Sequence, residues 1–110
     1  MRQRRDTLQG TLDLLVLRTL AGAGAMHGTD ISDRIAETSR DVLRVEEGSL
    51  YPALHRMEEA GWIRSQWKAS DNNRRARYYQ VTASGRRRLS EVEQRWTTHV
   101  NAVMRVLKLA

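Results

Sequence analysis

Between Leu8 and Leu20 the chain sets Leu8, Leu12, Leu14, Leu15, Val16, Leu17 and Leu20 around every side of a helical wheel, interrupted only by Asp13, Arg18 and Thr19. A surface helix hides one stripe, but a helix that is apolar nearly all round must be covered on most sides. A chain of 110 residues buries roughly 60 to 70% of its unfolded surface. One such helix therefore claims much of the core, and the other elements have to be arranged around it. Thr7 is its expected N-cap and Gly22 its expected stop.

The same stretch is too short and too interrupted for the ~18 to 20 apolar residues of a membrane helix, so no membrane partner is expected. Cysteine is absent, which excludes thiolate catalysis, cysteine-ligated zinc, iron–sulfur clusters and disulfide scaffolds. The expectation is a cytoplasmic protein with no cofactor.

A small-residue link at 22–25 leads to a second helix over residues 28–39, with Ile31, Ile35 and Thr38 at the spacings of one face. In the connector that follows, Val42, Leu43 and Val45 suggest a brief strand. A third helix then opens with Ser49 as N-cap, carries Pro52 in its first turn and stops at Gly61. At 3.6 residues per turn Leu50, Ala53, Leu54 and Met57 share its buried side. Ser49, Pro52, His55, Arg56 and Glu59 lie opposite, with Tyr51 on the shoulder.

Residues 62–68 and 75–81 read as a β-hairpin around a polar turn that contains Asn72, Asn73 and Arg74. Thr82 can cap a last helix reaching toward Ala110, its stripe formed by Leu89, Val92, Trp96, Val100, Val103 and Leu107. About 28 residues at ~1.5 Å each make ~42 Å, more than a domain of this size covers alone. Part of the stripe needs a partner, and a second copy of the chain is expected to supply it.

Charge is unevenly placed. The chain carries +6 overall, yet residues 62–88 hold eight basic side chains against one acidic, a net +7. A concentrated excess makes a local field for a polyanion, whereas a diffuse one mainly aids solubility. Of the 19 basic residues 17 are arginine, which suits bidentate phosphate and guanine recognition; a G+C-rich coding bias would give the same ratio.

Three helices followed by a two-stranded hairpin is the order of a winged helix-turn-helix, whose third helix enters the DNA major groove. The fold class expected is thus mainly α with a small antiparallel hairpin. Residues 1–81 would form the DNA-binding unit, and residues 82–110 a long dimerisation helix within the same structural unit. Ser49, Tyr51, Pro52, His55 and Arg56 become candidates for the groove-facing surface, and Asn72, Asn73, Arg74, Arg75 and Arg77 for the wing. Gln9 and Thr11 near the start of the first helix, with His27 and Gly28 at the start of the second, are candidates for the DNA backbone. Arg86, Arg87 and Arg88 fan over ~200° of a helix, so they read as a solvated run and not as one site.

Enzymatic readings find little. His27, His55 and His99 lack metal-ligand spacing, and Ser49 and His55 have no orienting acid in a clear place. Gly22, Gly24 and Gly28 lack the preceding strand of a dinucleotide fold. The rival from another class is a winged-helix protein-interaction module with only non-specific DNA affinity.

Several runs also carry a resemblance. They are residues 8–13 (LQGTLD), His27-Gly28, residues 45–58 (VEEGSLYPALHRME), Gly61-Trp62-Ile63 and residues 72–79 (NNRRARYY). Over about residues 8–88 the chain resembles the PadR-like transcriptional regulators of bacteria; its last helix is matched by type only. The resemblance implies a homodimeric DNA-binding repressor, released in some members by a hydrophobic or aromatic small molecule. Trp96, at the middle of the last helix, would then line a pocket between subunits together with its apolar neighbours. Thr29 stands where the family often has a bulky aromatic, and phenylalanine is absent.

Overall fold

The computed structural model describes residues 2–69 and 72–109, with side chains described from Gly10 onward. Its elements follow in the order α1 (Arg2–Ala23), β1 (Met26–His27), α2 (Gly28–Thr38), α3 (Glu47–Glu59), β2 (Ile63–Ala69), β3 (Arg75–Val81) and α4 (Ala83–Leu107). This is the α+β winged helix-turn-helix arrangement expected from the order of elements.

α1 lies at the centre, in contact with α2, α3, α4 and β3. Val16, Leu17 and Leu20 are fully buried in the core they share with Ile31 and Ile35 of α2, Leu50, Leu54 and Met57 of α3, and Ile63. The all-round apolar surface is thus covered by four separate elements. The ends of α1 differ from expectation. The helix begins at Arg2 and passes through Thr7, and it runs beyond Gly22 to Ala23. The left-handed residue is Gly24, φ +81°, whose amide donates to the Leu20 carbonyl at 3.1 Å. Glycine is the residue for which that backbone conformation is free of a Cβ penalty.

Met26 and His27 form a third strand that periodicity could not reveal. They pair antiparallel with Tyr79 and Tyr78, giving a sheet of order β1-β3-β2. The hairpin itself appears where the sequence placed it, with Ile63 opposite Val81 and Trp67 opposite Arg77.

The brief strand expected at Val42, Leu43 and Val45 does not form. Arg40 and Asp41 take left-handed φ of 54° and 64°, and their amides return to the Glu37 and Ala36 carbonyls. The chain coils back on the end of α2, which leaves Val42 80% exposed, its amide donating to the Ser39 carbonyl at 3.2 Å.

α3 starts earlier than expected. Glu46 is its N-cap and Ser49 its third residue, the Ser49 amide already donating to the Glu46 carbonyl at 3.0 Å. Glu46 and Glu47 place negative charge at the positive end of the helix dipole, which favours initiation there. Pro52 accordingly lies in the second turn, inside the helix. It offers no amide to the carbonyl of Gly48, four residues back. The stop at Gly61 holds, with φ +82°.

α4 is launched by a tight junction. The Thr82 amide donates to the Trp62 carbonyl at 3.0 Å, its hydroxyl donates to the Gly61 carbonyl at 2.6 Å, and the same oxygen accepts from the Gly85 amide at 3.0 Å. A Cβ on Gly85 would stand 1.9 Å from the Trp62 carbonyl oxygen, so only glycine fits. Leu89 is buried and Val92 packs against the core, while Arg18 of α1 grips Glu93 at 2.5 and 2.6 Å. Farther along, the apolar stripe is open to solvent: Trp96, Val103 and Leu107 are 40%, 42% and 60% exposed.

A candidate nucleic-acid interface

The outward side of α3 presents Ser49, Pro52 and His55 to solvent, because Leu50, Ala53, Leu54 and Met57 occupy its inward side. His55 Nε2 meets the Glu59 carboxylate at 2.5 Å, one turn on, and both side chains are well exposed. Arg56 does not share this open face as the helical wheel suggested. It forks onto Asp13 of α1, with N···O distances of 2.8 and 2.9 Å. Those bonds raise the guanidinium pKa beyond its ordinary value, against the opposing effect of burial. Asp13 is itself buried, so the pair clamps α3 to α1 and leaves Arg56 little freedom to reach outward.

Tyr51 swings toward α2. Its ring lies so near Gly28 that a Cβ there would fall 2.8 Å from the phenol oxygen and from Cε1. His27, at the start of the same helix, accepts from the Asp30 amide through Nδ1 at 3.3 Å and meets the Asp30 carboxylate through Nε2 at 3.1 Å. Its ring packs edge-on against Tyr78 at 5.5 Å. Tyr51, Gly28, His27 and Asp30 form one ledge along the first turn of α2, with Tyr78 of β3 behind His27.

Opposite that ledge stands the wing. Asn73 takes φ 59° in the turn and Asn72 is exposed beside it. Arg74 is exposed, and among the described residues no carboxylate pairs with it. Arg75 lies over the Trp67 ring at 5.5 Å. Arg77 lies over the same ring at 5.8 Å, and its Nε donates to Ser65 Oγ at 2.7 Å and its terminal nitrogen to Glu58 at 3.3 Å. Ser65 in turn donates to Glu58 at 2.6 Å. Arg77 is therefore tied to α3, whereas Arg74 has no such tie among the described residues.

Ledge and wing face each other across an open cleft of about 700 Å³, which brings together His27, Gly28, Tyr51, Asn72, Arg74, Arg75 and Arg77. Tyr79 closes its floor; burial pushes its hydroxyl pKa above the ordinary tyrosine value. Thr11 is half-buried on α1, and Gln9 lies outside the residues whose side chains are described. Arg86 and Arg87 are exposed on α4, while Arg88 turns back over the Trp62 ring at 4.8 Å. Trp67, Ser65 and Glu58 are site residues that sequence reasoning passed over. The alternation of β2 was a usable signal for Trp67, since it places this residue on the arginine-bearing face.

A winged helix-turn-helix whose wing and second helix enclose an arginine-lined cleft directs attention to regulators of transcription, and residues 16–91 match the "Transcriptional regulator PadR-like family". The chain belongs to that family. The transcriptional regulator Rv3488 of Mycobacterium tuberculosis is 38% identical over 71 residues, which are 64% of this chain and 63% of that protein. A transcriptional regulator from Clostridium thermocellum superposes with a TM-score of 0.80 at 25% identity, covering 91% of this chain and 96% of that one. A PadR family regulator from Eggerthella lenta does so with a TM-score of 0.77 at 28% identity, covering 99% and 93%. This PadR-like protein is thus a DNA-binding regulator of transcription and not an enzyme. Among its described residues no helix is long and apolar enough to cross a membrane.

Proposed function

We propose that this PadR-like protein is a homodimeric repressor that occupies a pseudo-palindromic operator from the cytoplasm, attached to the nucleoid while bound. The observation that carries this reading is the shared cleft: Tyr51 of α3, the first turn of α2 and the arginines of β3 open onto one face. In this reading Ser49, Pro52 and His55 address base edges in the major groove, each good contact discriminating by about 1 to 3 kcal/mol. Tyr51, His27, Gly28 and Thr11 follow the phosphate backbone beside them, and Asn72, Asn73, Arg74 and Arg75 hold the flanking backbone. Arg56 acts from behind, as the clamp on α3.

The open stripe of α4 supports the dimer. Trp96, Val103, Val106 and Leu107 are 40%, 42%, 80% and 60% exposed, an apolar surface larger than scattered single residues would make. A second α4 and α1 covering it would set two α3 helices in successive major grooves, about 34 Å apart. Trp96, with His99 at 6.2 Å, would lie between the subunits. A flat hydrophobic or aromatic effector entering there would change the spacing of the two α3 helices and release the operator.

Selection from a random duplex library tests the reading. The expected product is a two-fold symmetric motif with half-sites one helical turn apart, bound at least ~10³-fold more tightly than a shuffled duplex. Trp96→Asp is expected to give monomers in sedimentation and to weaken binding to the selected duplex. Equal, salt-fragile binding to every sequence would overturn the operator reading and favour a protein-docking role.

A further inference from the structure

Trp67 is the largest side chain in the cleft that the DNA-binding reading leaves without a task. It is 54% exposed, and two guanidinium groups lie over its ring, Arg75 at 5.5 Å and Arg77 at 5.8 Å. The two arginines differ in kind. Arg77 is engaged edge-on by Ser65 and Glu58. Among the described residues no carboxylate reaches Arg75.

A guanidinium stacked on an aromatic face uses its π surface and keeps its N–H donors free in the plane of the group. Its place over the ring at 5.5 Å therefore holds Arg75 beside the cleft without consuming the donors that a phosphate would accept from. An unrestrained arginine loses its rotamer freedom when it binds, whereas one already held on a ring has less to lose. The half-open indole offers, beside that arginine, an apolar surface on the cleft.

We propose that Trp67 is a backbone-binding platform of the wing: it presents Arg75 to a DNA phosphate and packs its exposed edge on the adjoining deoxyribose. The inference rests on the cleft being the duplex-binding face. It adds to that face a positioning residue whose ligand is the sugar–phosphate chain and not the bases.

The test is a double-mutant cycle on the intact protein with Trp67→Ala, Arg75→Ala and both together, titrated with a selected and a shuffled duplex at several salt concentrations. Trp67→Ala is expected to weaken both duplexes about tenfold, to leave their ratio unchanged, and to reduce the salt slope as Arg75→Ala does. The double variant should bind no more weakly than the poorer single one, the mark of two residues making one contact. Trp67→Phe, which keeps a ring for the guanidinium, should recover most of the affinity, a rescue that would also separate platform loss from general unfolding. DNA should quench the wild-type tryptophan emission more than that of Trp67→Phe. If the wild type binds and the two single losses add, or Trp67→Ala changes nothing, the platform is wrong while duplex binding stands. If the wild type binds neither duplex, the cleft reading fails and takes the platform with it.

Discussion

Asp13 and Arg56, 43 residues apart in sequence, meet in a two-pronged ion pair where α1 crosses α3. The carboxylate side chain is 11% exposed and the guanidinium 40%, so one partner is nearly dry and the other half-wet. Removing the acid would leave a charge that is only partly solvated. We expect Asp13→Asn to lower unfolding stability by about 2 kcal/mol, below the 3 to 5 of a fully buried pair because Arg56 retains water. Replacing both partners with apolar residues, Asp13→Leu with Arg56→Met, should restore much of that loss in urea unfolding.

The junction before α4 makes a sharper steric prediction. Gly85→Ala drives a Cβ to 1.9 Å from the Trp62 carbonyl oxygen, and overpacking of that kind costs about 1 to 3 kcal/mol or more. Gly22→Ala serves as its control, because a Cβ there meets nothing within 4 Å. Because Gly22 is the next-to-last residue of α1, the control should stabilise by up to about 0.5 kcal/mol, less than at an interior position. Thermal melts of the two variants should therefore move in opposite directions.

Arg74 and Arg77 are both wing arginines but should not behave alike in salt titrations. Each phosphate contact contributes about 0.9 to the slope of log affinity against log salt. Arg74→Ala should remove about one such contact, since no carboxylate among the described residues competes for it. Arg77 is already neutralised by Glu58 at 3.3 Å, so Arg77→Ala should change the slope less and the thermal stability more. Equal changes in slope would refute the distinction.

Much of this architecture was legible in the chain itself. The all-round apolar helix, the hairpin and the capping threonine of α4 each carry a local signal, and each appears where that signal lies. The misses have physical causes of three kinds. A two-residue strand such as Met26–His27 has no period and exists only because Tyr78 and Tyr79 offer it an edge. Ser49 is a good cap by type, but the acids before it start the helix one turn earlier. Arg56 was placed by its helical angle, and nothing local announces that its counter-charge stands on α1. A helical wheel gives the direction of a side chain at its root, while a long arginine chooses its end point from the charges within reach.

Tyr79 supplies a prediction in pH. Burial raises its hydroxyl pKa in the folded state, so in alkali the unfolded chain ionises first and the folded chain holds the extra proton. By linkage, stability is then unaffected by this group below about pH 10 and falls as pH rises through and beyond that value. Tyr79→Phe should flatten the difference in urea stability between about pH 9 and 11. A variant that loses stability over that range as steeply as the wild type would exclude the tyrosine as its source.

The two ionic grips on α1 have a mechanical consequence. Asp13 holds α3 and Arg18 holds α4 from positions five residues apart, about 7.5 Å along the axis and on widely separated sides of one rigid rod. A rod pinned in that way cannot roll for one neighbour without rolling for the other. α1 is therefore the common seat of the long helix and of the helix that carries His55, so that the two are registered through one rod and not directly against each other.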